Sequence, residues 1–307
     1  MSYQIVGIGA NVYDTLVKVP QFPVEDTKSI VETVVQSGGG PCATGLVAAA
    51  KLGATFEPKI TAAALAVLSS SDAGGMFLID DYRRFGVETS FIEWLPGESF
   101  SATVLLNSAT GSRTCLLNRG TLPPLTLDFR KKRAIEDAQV LMVDGNELSA
   151  AIDGAQTARK AGTKVLYDAG GRYGGIEPLL KLTDLLIPSA EFALGHTGKK
   201  TLEEAAESLY KLYNPEIVVI TNGSKGGILF DGQTLETYPA FPIDVVDSNG
   251  AGDVFHGAFA FAVTQGLSYR DCCRFSSAVS ALKCTRLGAR SGVPDYEQVI
   301  AFLRQRQ

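Results

Sequence analysis

Between residues 140 and 230 the chain repeats one pattern: a short apolar run, an amphipathic stretch, then another apolar run. The runs are Val140 to Val143, Lys164 to Tyr167, Asp184 to Ile187, Ile217 to Ile220 and Ile228 to Phe230. Apolar runs without polar alternation suit strands covered on both faces, and segments such as Ser149 to Ala161 and Leu202 to Tyr213 have helical spacing between them. Parallel strands need crossover helices, so the pattern predicts an α/β fold: a doubly wound, mostly parallel sheet flanked by helices. Two regions break the rhythm, Asn11 to Gln36 and Thr89 to Asn118. In the second, Ser101-Ala-Thr-Val-Leu-Leu, the turn Ser108-Ala-Thr-Gly and Arg113-Thr-Cys-Leu-Leu read as a hairpin of antiparallel strands. Strands inserted this early must leave the main sheet. They are expected to form a small β-sheet lid over the carboxyl edge of the central strands, where open α/β sheets bind ligands. The expected organisation is one domain, 1–307, with lid strands inserted at about 11–36 and 89–119, and Pro123-Pro124 marking the return to the core.

Composition narrows the function classes. At 307 residues, 45% hydrophobic and 20% charged, the chain can bury a large core. A net charge of -5, with no basic cluster larger than Arg130-Lys131-Lys132-Arg133, argues against a nucleic-acid groove. The start Met1-Ser-Tyr-Gln-Ile lacks a basic-then-apolar leader, and no apolar run reaches the roughly 18 residues that span a bilayer. No membrane partner is expected, and the cytoplasm is the expected location. Five cysteines, with only Cys272 and Cys273 close together and no Cys-x-x-Cys, suit reduced packing residues.

The chemistry concentrates in Asp247-Ser-Asn-Gly-Ala-Gly-Asp-Val-Phe-His-Gly257. Gly250, Ala251 and Gly252 carry almost no side chain, so a ligand can reach their N–H groups, and a helix opening near Asp253 adds its positive dipole end. Anions should settle there. A carboxylate beside an anion site is costly unless it has a task, such as accepting the proton of an attacking hydroxyl; the alternative is that Asp253 caps the helix. Gly7-Ile-Gly9-Ala-Asn-Val12 lacks the third glycine of a dinucleotide fingerprint, and Gly195 to Thr201 has the wrong spacing for a P-loop. Thr221-Asn-Gly223-Ser-Lys225-Gly226 follows an apolar strand and reads either as a nucleotide-tail site or as a plain tight hairpin. Asp14, just after the first strand, is the candidate acceptor for vicinal hydroxyls, and otherwise a turn residue.

Asp247-Ser-Asn-Gly-Ala-Gly-Asp253 resembles the C-terminal motif of the ribokinase-like (PfkB) carbohydrate kinases, Asp-Thr/Ser-x-Gly-Ala-Gly-Asp. Gly39-Gly40-Pro41-Cys42-Ala43-Thr44, running into the small-residue segment Gly45 to Gly53, is similar to that family's N-terminal Gly-Gly motif. The likeness covers nearly the whole chain in the expected order. It implies an ATP- and Mg2+-dependent kinase acting on a small sugar, with Asp253 as base and Gly250, Ala251 and Gly252 as anion hole. It further implies Thr221, Gly223 and Gly226 at the nucleotide, and Asp14, Gly39 and Gly40 at the sugar, with Thr44 where many relatives have Asn. Arg113 resembles the lid turn Gly-x-Arg, and Lys28 and Asn118 join it as lid candidates for a substrate phosphate or sulfonate. Pro188-Ser189-Ala-Glu191 stands where relatives carry Asn-x-x-Glu, which implies that Glu191 reaches Mg2+ through water. Asp247 and the segment Arg286 to Ser291 resemble the loops that hold a monovalent cation, K+. A homodimer through the lid is also implied. The motif variants most resemble relatives acting on fructose-type ketoses. A nucleoside kinase is the enzymatic alternative, with Phe22, Phe91 and Trp94 offering a base slot, and a sugar-binding sensor without turnover is the non-enzymatic one. His256 is expected to be a buried helix residue.

Overall fold

The computed structural model describes residues 3–171 and 174–306. The chain opens with β1 (Ile5–Ile8), then leaves the sheet for β2 (Val12–Val19) and β3 (Thr33–Gly39), and returns through α1 (Pro41–Gly53) to β4 (Ala62–Ser69). Helix α2 (Ala73–Arg84) leads to β5 (Ile92–Leu95), and a second excursion supplies β6 (Ser101–Asn107) and β7 (Arg113–Asn118). A regular α/β succession follows: α3 (Phe129–Glu136), β8 (Val140–Val143), α4 (Leu148–Ala161), β9 (Lys164–Ala169), α5 (Glu177–Leu180), β10 (Leu185–Pro188), α6 (Ala190–Thr197), α7 (Leu202–Tyr213) and β11 (Ile217–Thr221). The chain closes with β12 (Gly227–Phe230), β13 (Leu235–Tyr238), α8 (Ala251–Thr264), α9 (Tyr269–Cys284) and α10 (Tyr296–Arg304).

The main sheet has nine strands in the order β13-β12-β11-β10-β9-β8-β1-β4-β5, and a separate four-stranded sheet runs β3-β2-β6-β7. Strands β1, β8 and β10 are buried along their whole length because both sheet faces are covered. Residues of α1, α2, α8, α9 and α10 pack on one face, and residues of α3 to α7 on the other. The smaller sheet has its own apolar patch of Ala10, Val12, Leu16, Ala102, Val104 and Leu106.

Three expectations are corrected. Ile228 to Phe230 is not a parallel strand: β12 runs antiparallel to β11, because five intervening residues cannot carry a crossover. Ile92–Leu95 is not part of the lid; it pairs parallel with β4 at the edge of the main sheet, since α2 supplies a crossover just before it. Phe91 and Trp94 therefore leave the lid, and Phe91 packs edge-on against Tyr3. Within the small sheet β2 pairs parallel with β6, while β2–β3 and β6–β7 are antiparallel.

The contact that matters most for chemistry is α1 against α8. Gly45 and Gly257 face each other so closely that a Cβ on Gly257 would overlap the Gly45 carbonyl oxygen and lie 2.7 Å from Gly45 Cα. Two glycines let the backbones touch, which brings the Gly39–Pro41 turn and the first turn of α8 to the same end of the sheet.

Candidate active site

Strands β8, β9, β10 and β11 end side by side, and each delivers a polar group to one cavity at or just past its carboxyl end: Asp144, Asp168, Ser189 and Thr221. The cavity measures about 380 Å³, and its other walls are Pro41, Arg113, Gly170, Gly171 and the turn Ser248 to Asp253. A second cleft of about 520 Å³ adjoins it, lined by Tyr238, Phe241, Pro242, Ile243, Phe255 and Ala281 among others. Thr221, Ser248, Ala251 and Gly252 belong to both cavities, so the glycine-rich turn is a shared wall.

That turn has the conformation its sequence demands. Gly250 is left-handed at φ 75° and caps α8 without any side-chain hydrogen bond. Asp253 is therefore not the cap; it sits in the first turn, half-buried on the cavity wall. The N–H groups of Gly250 and Gly252 make no hydrogen bond among the described residues, whereas Ala251 N–H donates to Ser248 O at 3.2 Å. The cradle thus offers two free amides, not three, because Ala251 closes the turn that sets up the other two. Burial pushes the Asp253 carboxyl above its ordinary range, and His256 and Arg113 pull it back. Arg113 does so from the lid: its Nη1 donates to Asn249 Oδ1 at 3.3 Å, so the small sheet reaches the turn.

His256 is buried, as expected, but it is not inert packing. Its Nδ1 lies 2.7 Å from Gly252 O and its Nε2 2.9 Å from Ile187 O. Both partners are carbonyl oxygens, which only accept, and Asp168 Oδ2 lies 3.2 Å from Nδ1. Burial pushes Asp168 up to about 7 against the pull of His256. Asp144 does different work. Its Oδ2 accepts from Ala10 N at 3.0 Å and Cys42 N at 3.1 Å, and its Oδ1 from Asn146 N at 2.9 Å, tying β1, α1 and β8 together beneath the cavity.

Asp14 stands on the lid and, like Gly39 and Gly40, lines neither cavity. It pairs across to Ser37 on β3 and Ala102 on β6, and its carboxylate lies over Gly39, where a Cβ would sit 2.7 Å from Asp14 Cγ. Burial raises Asp14 to about 7, Arg290 opposes the rise, and the charge of Asp253 adds to it. Gly40, at φ 97°, caps α1 where a side chain would strike the Ala10 carbonyl. Thr221 and Gly223 line the larger cleft with Gly226, whose φ of 80° and close approach to Tyr238 and Ala240 require glycine. The turn is both the hairpin and a cavity wall.

Other expected residues are not brought together. Glu191 is exposed on the first turn of α6 and lines neither cavity; a one-residue offset on a helix rotates a side chain by about 100°. Ser189 takes the wall position and caps α6 by accepting from Phe192 N at 3.1 Å. Thr44 is fully buried inside α1, its hydroxyl without a hydrogen-bond partner among the described residues, and lines neither cavity. Lys28 is exposed in the β2–β3 connection, and the exposed Asn118 uses its Oδ1 on Gly120 N at 3.1 Å. Asp247 is buried and occupied, its Oδ1 by Asn249 N and its Oδ2 by Gly288 N, each at 2.8 Å. The sequence reading missed Asp144, Asp168, Lys283 and Arg290. The first two carried a signal, since each is the charged residue that ends an apolar run, Asp144 directly before Gly145 and Asp168 two residues before Gly170.

A cavity lined by Asp253 and by Gly250 and Gly252 with their free amides, joined to a larger cleft through Gly252, suits group transfer from an anionic donor to a small polar acceptor. Residues 3–296 match the family described as pfkB family carbohydrate kinase, and the chain belongs to that family. It is a carbohydrate kinase, with a ribokinase-like α/β fold. It is similar to the ribokinase of Lactococcus lactis subsp. lactis, 28% identical over 97% of this chain and 96% of the relative. It is equally similar, at 28% over 99% of both chains, to an ATP-dependent ribose-1-phosphate kinase of Halopiger xanaduensis. The solved structure of Arabidopsis thaliana ribokinase complexed with ribose and ATP superposes with a TM-score of 0.85 at 26% identity, covering 99% of each chain.

Proposed function

We propose that the protein transfers the γ-phosphoryl group of ATP to a hydroxyl of a small sugar, with Asp253 as the base that accepts the hydroxyl proton. The observation that carries this reading is that Asp253 and the two glycines with free N–H groups, Gly250 and Gly252, line one cavity, while Gly252 also lines the apolar cleft beyond, which has room for a nucleotide base. The base would lie among Tyr238, Phe241, Ile243 and Phe255, its phosphates running past Thr221 and Gly223 to the turn. The sugar would lie between Asp14, Gly39 and Asp253, with Asp14 accepting hydrogen bonds from two hydroxyls. The Gly250 and Gly252 amides and Arg113 stabilise the charge that develops on the transferring group, and the small sheet shields it from water.

Magnesium fits this site as an ion that arrives with the nucleotide: Asp168 Oδ2, buried at the cavity with His256 Nδ1 3.2 Å away, accepts no hydrogen bond among the described residues, and magnesium keeps waters and phosphate oxygens as most of its ligands. When bound it neutralises phosphate charge. Glu191 is too exposed to be assigned a part. Among the described residues no helix is long and apolar enough to cross a membrane, and the proposed need for ATP suits the cytoplasm. We read the chain as one kinase domain, and its lid as a pairing surface, since Val34, Leu116 and Leu117 are 54%, 57% and 60% exposed on the small sheet.

A ketose or ketose derivative is the acceptor suggested by the sequence motifs; ribose and its phosphates stand beside it through the named activities of the relatives. Neither Phe91 nor Trp94 lines a base slot in the lid, which removes the main support for a nucleoside acceptor. A coupled ADP-release screen over ketoses, pentoses, their phosphates and nucleosides tests the reading. Release with at least one sugar, dependent on magnesium, is expected; ligand-induced thermal shifts with no ADP from any acceptor would overturn it.

A further inference from the structure

The family likeness marks Asp247 and the Arg286 to Ser291 loop as ligands for a monovalent cation. The donors of this chain do not fit a free ion, because a cation is already there. Lys283, on the last turn of α9, reaches inward so that its Nζ donates to Asp247 O at 2.7 Å and lies 3.7 Å from Asp247 Oδ2. The pair is sealed from solvent, with side-chain exposures of 0% and 1%. Both carboxylate oxygens of Asp247 also hold backbone N–H groups, those of Asn249 and Gly288. The carbonyls of Lys283 and Gly288 are spent on Arg286 N and Gly292 N. A potassium ion at Asp247 would meet a fixed ammonium at close range and few open oxygens.

We propose that Lys283 is a tethered monovalent cation, whose ammonium holds the 247–252 turn in its phosphate-binding shape, so that the kinase needs no alkali cation. The proposal rests on reading that turn as the nucleotide's phosphate cradle.

The physical argument is one of placement. The carboxylate of Asp247 pins Asn249 on one side and Gly288 on the other, and the next residue, Ala289, packs under Gly250, where a Cβ would stand 2.6 Å from Ala289 Cβ. One turn before Lys283, Ser280 Oγ donates to Ala251 O at 2.7 Å. Helix α9 thus clamps the start of α8 at two points, a hydroxyl on Ala251 and an ammonium on Asp247. Without a cation the turn would hold a buried carboxylate and a cluster of carbonyl dipoles with no counter-charge, beside the carboxylate of Asp253. Burial draws the Lys283 ammonium below its ordinary range, while the charges of Asp247 and Asp253 and the hydrogen bond to Asp247 hold it up. A tethered cation cannot dissociate, so the cradle stays formed at any salt composition. Lys283 is in this sense a positioning residue; it acts through the turn.

Thermal unfolding and ATP calorimetry on the full chain test this, in potassium chloride and in tetramethylammonium chloride at equal ionic strength. The wild type should show the same midpoint and the same ATP Kd in both salts. Lys283→Ala leaves Asp247 unpaired with space for an ion. In tetramethylammonium its ATP binding should weaken about tenfold, within the usual range of coupling between sites, and its midpoint should fall; potassium should restore both. Lys283→Met, which fills the space without the charge, should be weakened and stay weakened in potassium. A wild type that potassium stabilises or tightens for ATP several-fold overturns the proposal. So does a Lys283→Ala variant that binds ATP like the wild type in tetramethylammonium, or a Lys283→Met variant rescued as fully as the alanine one. If Lys283→Ala does not fold, the wild-type comparison decides alone. No readout uses a sugar, so failure to find any acceptor counts against the proposed function and not against this cation.

Discussion

Replacing Gly257 by alanine should lower turnover as well as stability, and the reason is geometric. The added methyl would lie 2.7 Å from Gly45 Cα and 2.6 Å from Gly45 carbonyl carbon. Carbon atoms in contact settle at about 3.5–4.0 Å, so α8 must move away from α1 by roughly 1 Å or bend. Both contact atoms are backbone, so no rotamer can relieve the clash. Gly257 is one helical turn beyond Asp253, and the Asp253 carbonyl is 3.2 Å from where a Cβ on Gly45 would stand, so the same shift is felt at the base. Overpacking of this kind costs about 1–3 kcal/mol of stability. A misplacement of about 1 Å between reactants lowers turnover about 10²-fold, equivalent to roughly 2.7 kcal/mol on the barrier. The assay is coupled ADP release with the best sugar from the screen, alongside thermal unfolding. The expected variant is folded, melts a few degrees lower and has kcat about 10²-fold down with its ATP Kd nearly unchanged. Wild-type kcat and midpoint together would refute the argument that this glycine pair sets the distance between the two halves of the site.

Two further substitutions separate stability from chemistry. A Cβ on Gly252 meets nothing within 4 Å, so only a bound ligand can feel it. Gly252→Ala should keep or slightly raise the melting midpoint, since alanine suits a helix better than glycine, yet lose about 10²-fold in kcat/KM, as when one oxyanion donor is removed; unchanged kinetics would show that no phosphate approaches that amide. Asp14, held up at about 7 by burial, should make sugar kcat/KM fall as pH drops below about 7, because only the ionised form accepts two hydroxyls. Stability runs the other way: a carboxylate raised in the folded state contributes fully below its ordinary value of 3.8 and loses that contribution as pH rises through about 7. Asp14→Asn should therefore raise sugar KM and flatten the midpoint-versus-pH curve between these limits, and identical slopes in variant and wild type would count against the assignment.

The strands from β8 to β11 were legible because buried parallel strands write uninterrupted apolar runs, and the glycine-rich turn because its small residues have no other economical reading. Register errors arose where short connections decide direction: five residues force β12 antiparallel, and a preceding helix draws Ile92–Leu95 into the main sheet. Glu191 was misplaced because a one-residue offset matters on a helix and is invisible in a spacing pattern. Lys283 and Arg290 were illegible for another reason. Their partners, Asp247 for one and Asp81 with Gly39 O for the other, lie 36, 209 and 251 residues away, and only folding reveals that these cations are buried and paired. Asp144 and Asp168, in contrast, stood in view at the ends of apolar runs.

The central claim is that Asp253 accepts the proton of the acceptor hydroxyl in the cavity that adjoins the nucleotide cleft. The direct measurement is sugar-dependent ADP release by Asp253→Asn, with ATP affinity measured on the same preparation. Turnover should fall by at least about 10³-fold, within the range reached by loss of a positioned base, while ATP binds nearly as before. Turnover surviving at a tenth of the wild-type rate, with ATP bound normally, would contradict the claim.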